Sequence, residues 1–360
     1  MLIKEVYLEN FRNYDKQKIE LNDHVNVFYG KNAQGKTNIL EALYFCSLGR
    51  SFRTHREQEL IQFENEHSKI VVKYFKNNRD SEIEIALHKN ERKSIKLNKI
   101  KLNKNSELVG NINLVLFSPD DIIMLKEGPA QRRKFLDILI SQLKIKYLYE
   151  LNEYNKVLEQ RNAMLKSKRI DGIEVWNEQL ATKCEKISAY RKEYVDKLQE
   201  QLTTIHPKLT NELETIRIQY KSNFKNKEQF LNLLEQKQEL DLLRGYTSEG
   251  IHRDDFEILI NEVPLNAYGS QGQHKTAILS LKMSELMIVK DEIGENPILL
   301  LDDVTSELDT SRISSIFENI QDYQVLITCT DVNSILKYDS LTKNIKLYNI
   351  DRGAIQNKGE

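Results

Sequence analysis

The octet Gly30–Lys31–Asn32–Ala33–Gln34–Gly35–Lys36–Thr37 constrains this chain more than any other stretch. It has the spacing G-x-x-x-x-G-K-[ST] of a phosphate-cradling loop, or P-loop. Val25–Tyr29 before it alternates as a strand does, and Thr37–Phe45 after it carries apolar residues at helical spacing. In that setting the glycines let the backbone turn its N–H groups inward as an anion nest. The start of the helix adds a positive dipole end. The motif gives Gly30, Lys31, Asn32, Ala33, Gln34, Gly35, Lys36, Thr37 and Asn38 to the phosphates of a nucleoside triphosphate. Lys36 reaches the β- and γ-phosphates and the Thr37 hydroxyl holds Mg²⁺. An ordinary glycine turn would leave both flanks unexplained.

A second stretch completes the argument. Pro297–Ile298–Leu299–Leu300–Leu301–Asp302–Asp303 is a buried parallel-type strand ending in two carboxylates. Acids at the C-terminal end of such a strand lie beside the phosphate loop, in the crevice where open α/β sheets bind ligands. Asp302 is placed to hold Mg²⁺, and Asp303 to orient or deprotonate the attacking water. Tyr268–Gly269–Ser270–Gln271–Gly272–Gln273 opens the helical run 277–293 and, taken alone, reads equally well as a helix N-cap.

Composition limits the alternatives. With 360 residues, 40% hydrophobic and 30% charged, the chain is long enough for about two packed units. A net charge of −1 means that any nucleic-acid surface is a local patch. Cys46, Cys184 and Cys329 lie far apart without C-x-x-C spacing, which points to reduced thiols rather than a zinc site or disulfides. Met1–Asn10 lacks a signal-peptide apolar core, and no apolar run approaches the length of a membrane span. The expected location is the cytoplasm.

Along the chain, strands are expected at 3–8, 17–21, 70–75, 82–87, 94–97 and 111–117. The apolar steps Leu136 to Leu165 and Trp176 to Ile205 predict two long helices, either an antiparallel coiled-coil-like arm or two helices folded onto a core. A strand at 215–220, a helix at 227–243 and a hairpin at 256–265 follow. Between the last two, His252, Asp254 and Asp255 could form a metal site, but a loop held by Arg–Asp hydrogen bonds fits better. Basic stretches open to phosphate are Arg50–Arg56, the Lys89–Lys104 ribbon and Arg132–Lys134, although a lysine-guarded sheet edge explains the ribbon equally well.

The series P-loop, inserted helices, Ser270–Gln273, Asp302–Asp303, Ser306–Glu307–Leu308–Asp309 resembles the ABC-type ATPase heads of the SMC/RecF group, RecF-like proteins in particular. Leu48–Arg53, Phe117–Asp121, Gly128–Asp137 and His252–Asp255 carry the likeness further. The resemblance implies an α/β fold, an ABC-type P-loop ATPase head with an antiparallel β subdomain and an inserted helical arm lobe. Residues 1–125 and 211–360 would form the head and 126–210 the arm. It implies an ATP-dependent homodimer that binds DNA, single-stranded or duplex, and acts with RecR and RecO at single-stranded gaps in recombinational repair. Its activity would be a weak, DNA-stimulated ATPase. Ser270, Gly272 and Gln273 of one copy would close over the triphosphate held by the other, making Lys36, Asp303 and Ser270 the catalytic set. The nucleotide-binding subunit of an ABC transporter is the alternative, disfavoured by the long helical insertion. Two departures from the family pattern, Asp303 where Glu is common and Thr330 where His is common, suggest slow turnover.

Overall fold

The computed structural model describes residues 1–307, 309–338 and 344–356; of Ser306 and Glu307 it describes the backbone. β1 (Leu2–Phe11), β2 (Tyr14–Glu20) and β3 (Val25–Tyr29) lead into α1 (Lys36–Leu48), followed by β4 (His67–Lys76), β5 (Arg79–His88), β6 (Glu91–Leu97), β7 (Ile100–Lys101) and β8 (Leu114–Phe117). Next come α2 (Asp121–Lys126), α3 (Pro129–Leu143), α4 (Ile145–Ser167) and α5 (Ile173–Leu209). β9 (Ile216–Lys221), α6 (Lys227–Gln236), α7 (Gln238–Arg244), β10 (Asp255–Ile260), β11 (Val263–Pro264), α8 (Leu265–Tyr268) and α9 (Gln271–Ile293) follow. The remaining elements are β12 (Ile298–Asp302), α10 (Val304–Glu307), α11 (Thr310–Asn319), β13 (Val325–Cys329), α12 (Asn333–Leu336), β14 (Ile345–Asp351) and β15 (Ala354–Gln356). Two compact units result, Met1–Asp121 with Glu285–Glu360, and Ile122–Ser284.

The first unit holds two sheets. Among the described residues, one has six strands in the order β15-β14-β3-β13-β12-β8, with every pairing parallel except β14–β15. Its central strands β12 and β13 are buried at every residue, which is why they read as unbroken runs of Leu, Ile and Val. The other runs β2-β1-β4-β5-β6-β7 and is antiparallel. α1 touches β4 and β5 of this sheet and β8, β12 and β13 of the other. A helix sandwiched between two sheets must be apolar all round, and eleven of its residues are buried. Three strands went unforeseen, the two-residue β7 and the pair β14 and β15. β14 and β15 alternate across 345–356 and turn at Arg352–Gly353, a hairpin signal in plain view.

In the second unit α4 and α5 pair antiparallel, since Arg161 meets Asn177, Glu150 meets Lys183 and Tyr147 meets Tyr190. The expected helix through 136–165 is divided at Lys144, whose backbone is extended. α3 packs on β10 as well as on α5, whereas α4 runs along α5, and one straight helix cannot serve both arrangements. The helix expected at 227–243 is likewise divided, at Lys237. The sheet β11-β10-β9 belongs to this unit rather than to the residues after 285. Gln199 of α5 explains why: its amide accepts from Ile218 N at 2.6 Å and donates to Ile216 O at 3.4 Å, covering the open edge of β9.

The loop 245–255 is pinned by buried charge. Arg161 donates to Asn177, Asp241 and Thr247, while Arg191 donates to Tyr147, the Ile251 carbonyl and Asp137. Arg132 grips Asp255 through two bonds of 2.7 and 2.9 Å. The loop is thus held by Arg–Asp bonds, but the arginines come from the helices, and its own Arg253 lies over the Tyr246 ring. His252 is no ligand: Nε2 donates to the Thr247 carbonyl at 3.1 Å, so Nδ1 accepts from Tyr154 at 2.6 Å. Among the described residues no group of His, Cys, Asp and Glu is arranged to hold a metal ion.

Burial pushes His252 down from 6.5 to about 4. The unfolded chain therefore takes up this proton before the folded one does, and acid costs stability. The second unit is expected to hold its stability above pH 6.5 and to lose roughly 2 kcal/mol as pH falls towards 4. Urea denaturation at several pH values checks this, with His252→Gln expected to flatten that part of the profile.

Candidate nucleotide site

The P-loop joins the C-terminal end of β3 to α1, and its shape demands left-handed backbone at three points. Gly30 has φ 149°, Ala33 64° and Gly35 109°. A side chain at Gly30 would collide with the Ile350 carbonyl, and one at Gly35 would come within 2.5 Å of Asn13 Oδ1. Neighbouring turns hold the loop in place. Asn13 donates to the Gln34 carbonyl at 2.8 Å and accepts from Asn38, Tyr14 donates to the Gly35 carbonyl, and Gly353 N donates to Gln34 O. The Lys36 ammonium lies along the loop, donating to Gly30 O at 2.7 Å and Lys31 O at 2.8 Å. Burial lowers its pKa, an effect opposed by the negative field of Asp303 and Asp302.

Parallel pairing brings the ends of β3, β13 and β12 to one edge, with Asp302 opposite Thr328 and Cys329 opposite Tyr29. There Asp302 Oδ1 accepts from Thr37 Oγ1 at 2.8 Å and from Thr328 Oγ1 at 2.7 Å. Burial raises the Asp302 pKa, and the two hydroxyl bonds pull it back. Asp303 follows with φ 47°, strained for a residue with a side chain, and its N–H donates to Thr328 O and Oγ1. Behind the loop, fully buried Glu41 takes two bonds from Arg12 and one from Ser51, and Arg53 reaches both Glu41 and Asn38.

Lys36, Thr37, Asp302 and Asp303 therefore converge within the first unit, with the backbone of Gly30–Asn38 around them. Ser270, Gly272 and Gln273 lie in the second. Gln273 N donates to Ser270 Oγ at 3.1 Å, and Ser270 N to Gln273 Oε1 at 2.9 Å. This reciprocal capping box leaves Ser270, Gln271 and Gly272 exposed. Leu308 lies outside the described residues; Asp309 caps α11 by accepting from Arg312 N.

A family model described as RecF/RecN/SMC N terminal domain matches residues 2–355. The DNA replication and repair protein RecF of Clostridium botulinum (strain ATCC 19397 / Type A) is 43% identical over 363 residues, covering 99% of this chain and 100% of the relative. The solved structure of the recombination mediator protein RecF-ATP in the RecFOR pathway superposes with a TM-score of 0.91 at 38% identity, covering 99% and 97% of the two chains. The chain belongs to the RecF family of DNA replication and repair proteins. An SMC head bound to the C-winged helix domain of ScpA, at TM-score 0.59 and 15% identity over 99% and 96% of the chains, shares the fold. A full-length match to RecF relatives leaves the transporter alternative unsupported.

Within a RecF-family chain the basic stretches separate clearly. Arg132 is buried and paired with Asp255, and half-buried Arg133 donates to the Asp254 carbonyl. In the Lys89–Lys104 ribbon, Lys89, Lys93 and Lys96 pair with Glu66, Glu57 and Glu84, whereas Arg92, Lys99, Lys101 and Lys104 are exposed. Arg50 and Arg56 are exposed as well. Asn13, Glu41 and Thr328 are site residues that sequence reasoning passed over. Only Asn13, in the turn-prone Asn10–Tyr14, carried any signal.

Thr328 supports both carboxylate residues, so Thr328→Val is expected to cost about 2 kcal/mol by leaving Asp302 short of a donor and Asp303 N short of an acceptor. Thr328→Ser is expected to cost less than half as much. Denaturant unfolding followed by tryptophan fluorescence and circular dichroism measures both.

Proposed function

We propose that this chain is an ATP-dependent DNA clamp of recombinational repair and replication restart. It dimerises when ATP binds, hydrolyses it slowly and helps load recombinase at single-stranded gaps. The Thr37–Asp302–Thr328 cluster at the mouth of the P-loop carries this reading. Thr37 and Asp302 offer hard oxygen donors of the kind Mg²⁺ prefers, and they are the residues that would hold it. When bound, Mg²⁺ neutralises charge on the phosphate oxygens. The relative solved as RecF-ATP supports ATP as the nucleotide.

The chain's own groups do the rest. Gly30–Asn38 cradle the phosphates, Lys36 offsets their charge, and Asp303 orients or deprotonates the attacking water. A carboxylate on the short Asp stem, with an uncharged Thr330 in place of His, suits a clamp with low turnover. Ser270, Gly272 and Gln273 act on the nucleotide of a second copy, so ATP becomes part of the dimer interface and tightens it by linkage. Exposed Arg50, Arg56, Arg92, Lys99, Lys101 and Lys104 give DNA a salt-sensitive path, and DNA contact stimulates hydrolysis. RecR and RecO are the expected protein partners, in keeping with the RecFOR pathway of the solved relative. The site of action is the cytoplasm; no described helix is long and apolar enough to cross a membrane.

Lys36→Met is expected to weaken nucleotide binding roughly 100-fold in a fluorescent-nucleotide titration. Asp303→Asn should bind ATP normally, hold the dimer longer and hydrolyse about 100-fold more slowly. Faster turnover would remove Asp303 from its role. Ser270→Arg should bind nucleotide as a monomer yet fail to dimerise with ATP in sedimentation velocity. A normal dimer would sink the shared-nucleotide arrangement.

A further inference from the structure

Ser270 and Gln273 do not hold each other unaided. Gln273 Nε2 donates to Glu214 Oε1 at 3.0 Å. Glu214 stands in the short connection between α5 and β9, immediately after the helix that runs 37 residues from Ile173 to Leu209. This bond decides which way the Gln273 amide faces. Its nitrogen is taken by a carboxylate, which can only accept, so its oxygen is turned to the Ser270 N–H. The box then closes with Ser270 Oγ accepting from Gln273 N. The hydroxyl proton of Ser270 remains available to an acceptor outside the helix.

The other face of Glu214 shows that this bond is its main engagement. Its Oε2 lies 3.6 Å from Nε2 of His206, which is completely buried in the last turn of α5. His206 Nδ1 is 2.9 Å from Ser280 Oγ on α9, and Ser280 has already given its own proton to the Thr276 carbonyl at 2.8 Å. Nε2 of His206 makes no hydrogen bond, since its 3.6 Å approach to Glu214 Oε2 is too long for one. Burial keeps the ring neutral by pushing its pKa below the usual value. Glu214 thus receives its proton donor from Gln273 and none from His206. The same histidine ties the end of α5 to α9 one turn beyond Thr276, which itself donates to the Gly272 carbonyl.

We propose that Glu214 is a positioning residue for the Ser270 helix start: it fixes the Gln273 amide, thereby the capping box, and thereby the direction in which Ser270 offers its hydroxyl to a phosphate. His206 anchors that arrangement to the far end of the arm helix. The inference rests on Ser270 meeting a nucleotide held by a second copy, and adds a residue outside both the P-loop and the Ser270–Gln273 stretch.

The test compares Glu214→Ala, Glu214→Gln and Ser270→Arg in the full-length protein, reading nucleotide binding at low protein concentration and ATP-driven dimerisation by sedimentation velocity. Glu214→Ala is expected to bind ATP within about twofold of wild type and to dimerise roughly tenfold more weakly. Glu214→Gln keeps a carbonyl oxygen for Gln273 and should recover dimerisation to within about twofold. Equal loss in both variants would overturn the proposal, because a merely structural charge would not be rescued by the amide. So would a normal dimer from Glu214→Ala while Ser270→Arg stays monomeric. If Ser270→Arg also dimerises, the shared-nucleotide reading itself has failed and takes this inference with it. Should Glu214→Ala not fold, Glu214→Met keeps the side chain's bulk without an acceptor for Gln273 and is expected to show the same loss.

Discussion

A loop that points its amides at an anion cannot hold that shape by itself. The P-loop has no regular hydrogen-bond ladder, and three of its residues adopt left-handed backbone. One of them, Ala33, has a side chain that disfavours it. The conformation persists because other parts of the first unit determine it. The turn of the β1–β2 hairpin supplies Asn13 and Tyr14, and the turn of the β14–β15 hairpin supplies Gly353 and the Arg352 N–H. These turns lie more than 300 residues apart in sequence and meet on the Gln34 carbonyl, which Asn13 and Gly353 both reach, while Tyr14 holds the Gly35 carbonyl and Arg352 N–H the Gln34 side-chain oxygen. Gly353 is obligatory: at φ 76° it lies against the Asn13 backbone, where a side chain would collide. Both sheets of the first unit are thus organised so that one short loop is ready before its ligand arrives, which spares binding the cost of ordering it.

The same logic governs charge. Asp302, Glu41 and Lys36 are mostly or wholly buried, and each would be costly alone. None is alone. Two hydroxyls serve Asp302, two arginines and Ser51 serve Glu41, and loop carbonyls serve Lys36. Burial nevertheless raises the Asp302 pKa, so its charged form is held there at a cost. An acid held so at a strand end, next to the positive φ of Asp303, is what a site looks like when its groups are arranged for a cation and a phosphate rather than for the stability of the chain. In the second unit the buried arginines Arg161 and Arg191 do a different job. They fix the loop 245–255 to α4, α5 and α7, giving unique geometry to a stretch with little apolar content.

What sequence alone reveals follows from these differences. The P-loop, the β12 carboxylates and the Ser270 helix start were legible because each is a contiguous motif whose chemistry depends on local spacing. Most strands of both sheets were legible too, since burial on one or both faces leaves a period in the chain. The division at Lys144 was not, because helical spacing runs straight through it and only the change in packing, from β10 together with α5 to a course along α5, breaks it. Asn13, Thr328 and Glu41 escaped for a related reason. Each matters through bonds outside its own element, and only Asn13, in a turn-prone stretch, is marked by its neighbours. The β14–β15 hairpin, by contrast, is marked in the sequence by alternation and an Arg-Gly turn.

The basic residues show most plainly how three-dimensional pairing decides function. Counted along the chain, 89–104 and 132–134 look alike as clusters of positive charge. In the fold, one cluster loses its charge to internal partners while the other keeps part of it. Arg132 forms a bidentate pair with Asp255 at 2.7 and 2.9 Å and also holds the Glu127 carbonyl, so a phosphate would have to displace a complete set of bonds. Arg92, Lys99, Lys101 and Lys104 stand on the edge of a sheet and face solvent; a phosphate there displaces only water and counterions. Near-zero net charge is thus compatible with a nucleic-acid surface, because acids elsewhere neutralise the total without neutralising that edge.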